Sequence, residues 1–495
     1  MFLLVAAAFI PARIYVANTD KFPHPERILV VAAVLFLIGL FWSTLLTWCG
    51  LDRMASLASA IALVGLLGTT GGLSEETSTT IAVAVTVAGA TTVALLASRF
   101  GTSFARFLVR AATVFFLLSL TVSWVLDSAR PEVNSSVEAS HSTLPETLTS
   151  RPDIYLVLLD GFPGARAMSE IYEADLTNSG SMQLTEAWAS YPMTIASVAS
   201  VLEMGYPLGD GDVVGGRTAD DLARIMSGEN RLLDFLASQG YRTHQVESGY
   251  SSSFCSTSVD VCVESQFLDE GIFGILDQTV IRRELRERMG SAFTQSGLHA
   301  MRWLGANLPG LTHDTTPDFV FASVAIPHPP LLLDRDCSVD YEFWRVGNSV
   351  FAGEQIIEER RAAYMEQVQC VAAMELELSQ LVPDTSILIF FSDHGGDSSG
   401  QMSRYEHDWT STDVLERMNA HLAVQAPAAC LDSNEVFLSE MMRDVLWCLS
   451  GDEPDLSRED SQIFTASRIR DSSSYRLRIL SGAEMEALSI PSVSR

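Results

Sequence analysis

The 495-residue sequence has a single lysine, Lys21, so nearly all of its positive charge is arginine. Positive charge is scarce altogether: 32 Lys and Arg stand against 61 Asp and Glu, a formal net charge of −29. The shortage is uneven. Residues 1–130 hold eight basic and six acidic side chains, and residues 131–495 hold 24 and 55. So acidic a surface repels phosphate backbones and excludes nucleic acid as a partner. No C-x-x-C pair occurs, which argues against a cysteine-type zinc ribbon. No charged start precedes the first apolar run, so a cleavable signal peptide fits poorly.

Apolar residues are what the sequence has in excess. The hydrophobic fraction is 47% and the mean hydropathy is positive, +0.20. The excess lies in the runs 28–48, 55–74, 79–98 and 104–126, each near the ~20 residues that cross a bilayer's hydrocarbon core. A fifth run, 1–18, is interrupted by Arg13. These runs predict a multi-pass, all-α membrane domain of about five helices over 1–126, with four as the fallback. No intramembrane acidic residue and no Gly/Pro-broken helix pair stands out, which disfavours a transporter. Residues 127–150 are polar and aperiodic and read as a linker.

Cys49 lies in an apolar run. Cys255, Cys262, Cys337, Cys370, Cys430 and Cys448 lie in the acidic part, an even count that suits disulfides in an oxidising compartment. Sequence order suggests 255–262, 337–370 and 430–448, out of the 15 pairings six cysteines allow. Six buried thiols are the alternative. Arg and Lys are almost balanced across the predicted helices and give no clear orientation. The acidity and the cysteines favour an extracytoplasmic domain, which five helices with an inside N-terminus deliver.

From residue 151 apolar strands alternate with helical patterns. The strands are 154–160, 242–247, 318–326, 386–392 and 421–426, and the longest helical patterns are 218–239 and 354–381. Near-continuous apolar strands of this kind predict an α/β domain with a mostly parallel central sheet covered by helices on both faces. Its expected extent is 151–450, with 451–495 an unassigned C-terminal extension. Ligands of such sheets sit at the carboxyl ends of strands. The first strand ends in Asp160-Gly161, the 386–392 strand in Ser392-Asp393-His394-Gly395-Gly396, and the 318–326 strand runs into Pro327-His328-Pro329. Asp and neutral His suit a divalent metal such as zinc or manganese. In Tyr191-Pro192-Met193-Thr194, proline bars a preceding helix and the small residues that follow suit one. Thr194 then sits at a helix N-terminus, as a cap or as a nucleophile.

These motifs resemble the alkaline phosphatase/sulfatase superfamily, and more closely its membrane-anchored branch, which includes lipoteichoic acid synthases and phosphoethanolamine transferases. The resemblance covers most of 151–430 and the overall layout. It implies Asp160, Thr194, Asp393 and His394 as ligands of one divalent metal (manganese or zinc, with magnesium as an option), Thr194 as nucleophile and His328 on the transferred group or leaving oxygen. Asp334, His328 and His407 are candidates for a second metal, and Asp334 and His407 also for the substrate. Arg166, Arg404 and Tyr250 lie near the motifs as further substrate candidates. The C-x-P-x-R motif of formylglycine sulfatases is missing after Thr194, which places sulfatase chemistry in doubt. The expected activity is extracytoplasmic transfer of a phosphoglycerol- or phosphoethanolamine-type group between membrane lipid or cell-envelope glycan substrates, by an integral membrane protein. An ester hydrolase of the same superfamily and a non-catalytic membrane sensor or scaffold are the alternatives.

Overall fold

The computed structural model describes isolated residues before 26, then 26–69, 79–128, 143–174, 182–215, 217–247, 255–264, 297–311, 316–329, 331–340, 354–398, 400–403, 409–426, 435–452, 462–469, 474–488 and 490. They fall into two compact units. One lies within Met1–Pro131, the other within Glu132–Phe267 and Ala292–Arg495.

The first unit is helical: Glu26–Trp48, Arg53–Thr69 and Thr79–Ser128. The last merges two of the expected runs across a kink at Gly101. Small residues line the contacts, with Ala55, Ala58, Ala60, Ala90, Ala94 and Ala97 all buried. They let backbones approach closely enough for Ser59 to donate to the Ala90 carbonyl at 2.7 Å and to accept from the Trp42 indole at 2.9 Å. Large apolar side chains face outward instead, among them Phe41 at 70% exposure and Phe107 at 62%. Among the described residues no helix meets the length and hydropathy required to cross a membrane.

The second unit is built on a seven-stranded sheet: β1 (Ile154–Leu159), β2 (Gln183–Leu184), β3 (Arg242–Val246), β4 (Val261–Val263), β5 (Asp318–Val324), β6 (Ile387–Phe391) and β7 (Leu422–Gln425). The order is β2-β7-β6-β1-β5-β3-β4. The run from β6 to β4 is parallel, and β7 is antiparallel to both β6 and β2. The mostly parallel sheet with helices on both faces is the α/β architecture expected, with β7 as its antiparallel departure. Alternation explains why its strands are apolar throughout. Leu156, Phe321 and Ile389 face one core, under helices Thr194–Glu203 and Leu438–Ser450, while Val157, Ala322 and Phe390 face the other, under His299–Leu311 and Glu354–Ser379.

The helical pattern 218–239 divides into Arg217–Met226 and Arg231–Ser238. The chain turns at Ser227–Glu229, and Asn230 restarts the helix by capping the Leu233 N–H at 2.9 Å. Disulfides join Cys255 to Cys262 and Cys337 to Cys370. Cys448 is disulfide-bonded as well, and Cys430 lies outside the described residues. Cys49 is free.

The residues beyond 450 are woven into this unit. Strands Phe464–Arg468 and Tyr475–Ile479 form a three-stranded sheet with Val213–Val214. Phe464 is fully buried and stacks on Tyr191 at 4.8 Å between ring centroids, three residues before Thr194. Phe464→Ala should therefore destabilise the unit by roughly 3–5 kcal/mol, as expected for truncating a buried aromatic. Urea unfolding followed by near-ultraviolet circular dichroism measures it. An unchanged midpoint would show a dispensable C-terminal segment.

Candidate active site

Three adjacent parallel strands deliver the site. Asp160 follows β1, Ser392-Asp393-His394 follows β6, and His328 stands beyond β5. Parallel register makes these ends coincide: Leu158 pairs with Phe391 and Leu159 with Val324. Thr194 arrives from outside the sheet as the first residue of helix Thr194–Glu203, with Met193 as its N-cap. Its amide is thus one of the helix's unpaired N–H groups.

Asp160, Asp393 and His394 are all buried, and their ligating atoms lie within 4.8 Å of one another. Thr194 Oγ1 lies 3.4 Å from Asp160 Oδ1 and 3.2 Å from His394 Nε2. Two neighbours fix the tautomer of His394. Its Nδ1 faces the Gly395 carbonyl at 2.9 Å, and a carbonyl only accepts, so Nδ1 carries the proton. Its Nε2 faces an Arg417 N–H at 2.9 Å, and arginine only donates, so Nε2 presents a lone pair. That lone pair lies 3.0 Å from Asp393 Oδ2 with no proton between them, and Oδ2 has no hydrogen-bond partner. The short ion-pair distance is therefore a close approach of two electron-rich atoms.

Burial pushes the Asp393 carboxyl up. The Gly161 N–H at 3.0 Å and the Thr194 hydroxyl pull it back toward the ionised form. Burial and the Arg417 guanidinium push His394 below the ordinary histidine value, against the pull of Asp393. The Gly395 carbonyl on Nδ1 and the Arg417 N–H on Nε2 make His394 neutral beside an ionised Asp393, the protonation state in which both ligate metal. An orphaned buried carboxylate oxygen, a second carboxylate, an imidazole lone pair and a hydroxyl converge, and this donor set fits a divalent cation such as zinc.

Glycine is required where the backbone closes round these ligands. Gly161 turns the chain at φ +73°, a region L side chains avoid. A Cβ on Gly395 would lie 2.1 Å from the Glu416 carbonyl. The buried Tyr364 hydroxyl donates to the Gly161 carbonyl, and burial pushes this phenol well above its ordinary range, so it stays a donor. Glu416 pins the loop after His394 by accepting from Tyr172 at 2.7 Å and from the Ser398 N–H at 3.0 Å. Asn419 holds the chain beyond Asp160 through the Ala167 N–H at 2.9 Å.

His328 is half-buried and tied to Asp160 by its N–H on the Asp160 carbonyl at 2.9 Å. Its Nδ1 faces the Pro329 carbonyl at 2.7 Å, so Nδ1 holds the proton and Nε2 carries the lone pair. As a neutral group it accepts a proton; it donates one to a leaving oxygen only as an imidazolium. Asp334 is not gathered with these residues. It forms a turn, its carboxylate accepting from the Asp336 and Ser338 N–H groups at 3.0 and 2.9 Å. Arg166 bonds Glu170 and the Leu488 carbonyl. His407, Arg404 and Tyr250 lie outside the described residues.

Arg417, Tyr364, Glu416 and Asn419 escape a reading of the sequence, because none belongs to a spaced motif. They reach the site from helices Ser411–Met418 and Glu354–Ser379 and the chain just after the first.

No family model matches the chain, and no curated protein matches it. Its structural neighbours fall in the alkaline phosphatase/sulfatase superfamily. One is the C-terminal periplasmic domain of EptC from Escherichia coli in complex with zinc, 12% identical, covering 67% of this chain and 96% of that one at a TM-score of 0.38. Another is BT1596, a 2-O glycosaminoglycan sulfatase, at 10% identity, 70% and 88% coverage and a TM-score of 0.42. A third is the phosphonate monoester hydrolase of Agrobacterium radiobacter, at 13% identity, 65% and 81% coverage and a TM-score of 0.40. At such TM-scores these likenesses carry no weight of their own, and the functional reading rests on the site.

Asp393→Asn removes one ionised donor and should lower zinc affinity by at least about tenfold, the lower end of what second-layer substitutions cost at metal sites. Competition with a chelating dye measures it. Unaltered affinity would place the metal elsewhere.

Proposed function

We propose that the chain is a membrane-anchored, metal-dependent enzyme that transfers a phospho group of the phosphoglycerol or phosphoethanolamine type from a lipid-linked donor through a covalent ester on Thr194. The observation that carries this reading is the convergence of the Thr194 hydroxyl with Asp160, Asp393 and His394 at the carboxyl ends of parallel strands. Asp160, Thr194, Asp393 and His394 would hold one divalent cation, zinc or manganese. The cation would supply Lewis-acid polarisation of the phosphorus centre and a lower pKa for the threonine hydroxyl.

The chain's own residues account for the rest. Thr194 attacks as the alkoxide that its lowered pKa would allow, Oγ1 forming a bond to phosphorus as the bond to the lipid oxygen breaks. Its place in the first helical turn sets unpaired N–H groups and the positive end of the helix dipole beside the developing charge. His328, as an imidazolium, gives the leaving lipid oxygen its proton. Its Nε2 is then a lone pair again and accepts the proton of the acceptor hydroxyl, which bonds to phosphorus as the Thr194 oxygen departs. Tyr364, Glu416 and Asn419 are positioning residues that hold the loops carrying Asp160 and His394.

Two features support the cellular setting. Nearly all the exposed large apolar side chains lie between Val34 and Leu118, in the first unit, which suits a lipid-facing anchor. The disulfides of the second unit suit an oxidising, extracytoplasmic compartment. An anchor keeps the site at the membrane where a lipid donor resides, which favours transfer over hydrolysis.

Incubating the purified protein with a short-chain phosphatidylglycerol or phosphatidylethanolamine and trapping with acid should leave a phospho-adduct on the Thr194 peptide, absent in Thr194→Ala and after metal chelation. Peptide mass spectrometry reads it. Release of the head group into water without an added acceptor, at the same rate as adduct turnover, marks a hydrolase. No adduct from a metal-loaded protein contradicts the covalent route.

A further inference from the structure

Arg417 is 7% exposed, and among the described residues the hydrogen-bond partners of its guanidinium all belong to the wall of the site. Nε donates to the Pro192 carbonyl at 2.7 Å, and one terminal nitrogen donates to the Gly395 carbonyl at 3.2 Å. These two bonds tie the segment that carries Thr194 to the loop that follows His394. The third is of another kind. The remaining terminal nitrogen donates to His394 Nε2 at 2.9 Å, the one lone pair this imidazole has to offer.

A nitrogen lone pair serves one partner at a time. With Nδ1–H held by the Gly395 carbonyl, Nε2 either accepts from Arg417 or ligates a cation. A guanidinium and a divalent cation side by side also repel. We infer that Arg417 and the divalent cation exchange places at His394 Nε2, and that the N–H so displaced is taken up by a non-bridging oxygen of the tetrahedral oxyanion delivered to Thr194. Thr194 Oγ1 lies 3.2 Å from the same nitrogen, so an N–H leaving Nε2 remains beside the nucleophile. The guanidinium fork suits two oxygens of a phospho group.

The consequence is thermodynamic coupling. Arg417 opposes the cation until an anion engages it, and it engages the anion best once the cation claims His394. Each ligand therefore tightens the other by the same factor. This inference rests on the metal-dependent phospho-transfer reading and makes Arg417 its anion-binding residue.

The test is zinc affinity of the full-length protein in detergent, with and without inorganic phosphate, for the wild type, Arg417→Ala and Arg417→Gln. Without phosphate both substitutions should tighten zinc binding, by about tenfold, through loss of a charge-assisted hydrogen bond that competes for Nε2. Phosphate should tighten zinc binding to the wild type and have little effect on either variant. Zinc affinity unchanged or weakened in a variant whose thermal unfolding matches the wild type overturns the inference. Should neither variant fold, the wild type decides alone: zinc affinity indifferent to phosphate overturns it. Zinc that fails to bind the folded wild type at all contradicts the metal-site reading instead.

Discussion

Two buried carboxylates and an imidazole lone pair face one another within 4.8 Å at the end of the central sheet. Left to themselves such groups repel, and taking a carboxylate out of water costs several kcal/mol without a compensating partner. The site is held together all the same, because each ligand is tied down from behind. Gly161 donates to Asp393, the Gly395 carbonyl orients His394, and Asp160 is braced by the backbone of Val324 and His328. A divalent cation would convert the repulsion into attraction, which is why this donor set fits one.

The rest of the second unit serves that arrangement. Parallel strands bring three sequence-distant ends to one edge, and the two cores hold the sheet from both faces. Helix Thr194–Glu203 lies on one face with its first residue at the ligands, anchored by Ser197 donating to the Asp393 carbonyl at 2.6 Å. The stack of Phe464 on Tyr191 carries that anchoring to the C-terminal strands. Arg417 closes the ring by joining Pro192, Gly395 and His394.

Much of this was legible in the sequence. Apolar strands ending in Asp-Gly or Asp-His-Gly announce a buried parallel sheet and the polar side chains gathered at its end, because the hydrophobic run and those side chains belong to one short segment. The helix start at Thr194 was legible because Pro192 bars a helix before it and the small residues that follow suit one. Arg417 and Tyr364 were not. Each sits within a helix whose pattern reads as ordinary, and its importance comes from long-range packing against Gly161 and Gly395. The C-terminal strands were missed for a similar reason, since their partner Val213–Val214 lies some 260 residues away in the chain. The helix expected over 218–239 failed at a local signal, the Asn230 cap.

The most direct test of the central claim is anomalous diffraction on either side of the zinc absorption edge, from crystals grown with zinc. A single peak within bonding reach of Asp160, Thr194 Oγ1, Asp393 and His394 Nε2 is the expected result. A zinc-loaded crystal whose anomalous density lies elsewhere, with these four side chains still bonded only to protein, contradicts the account.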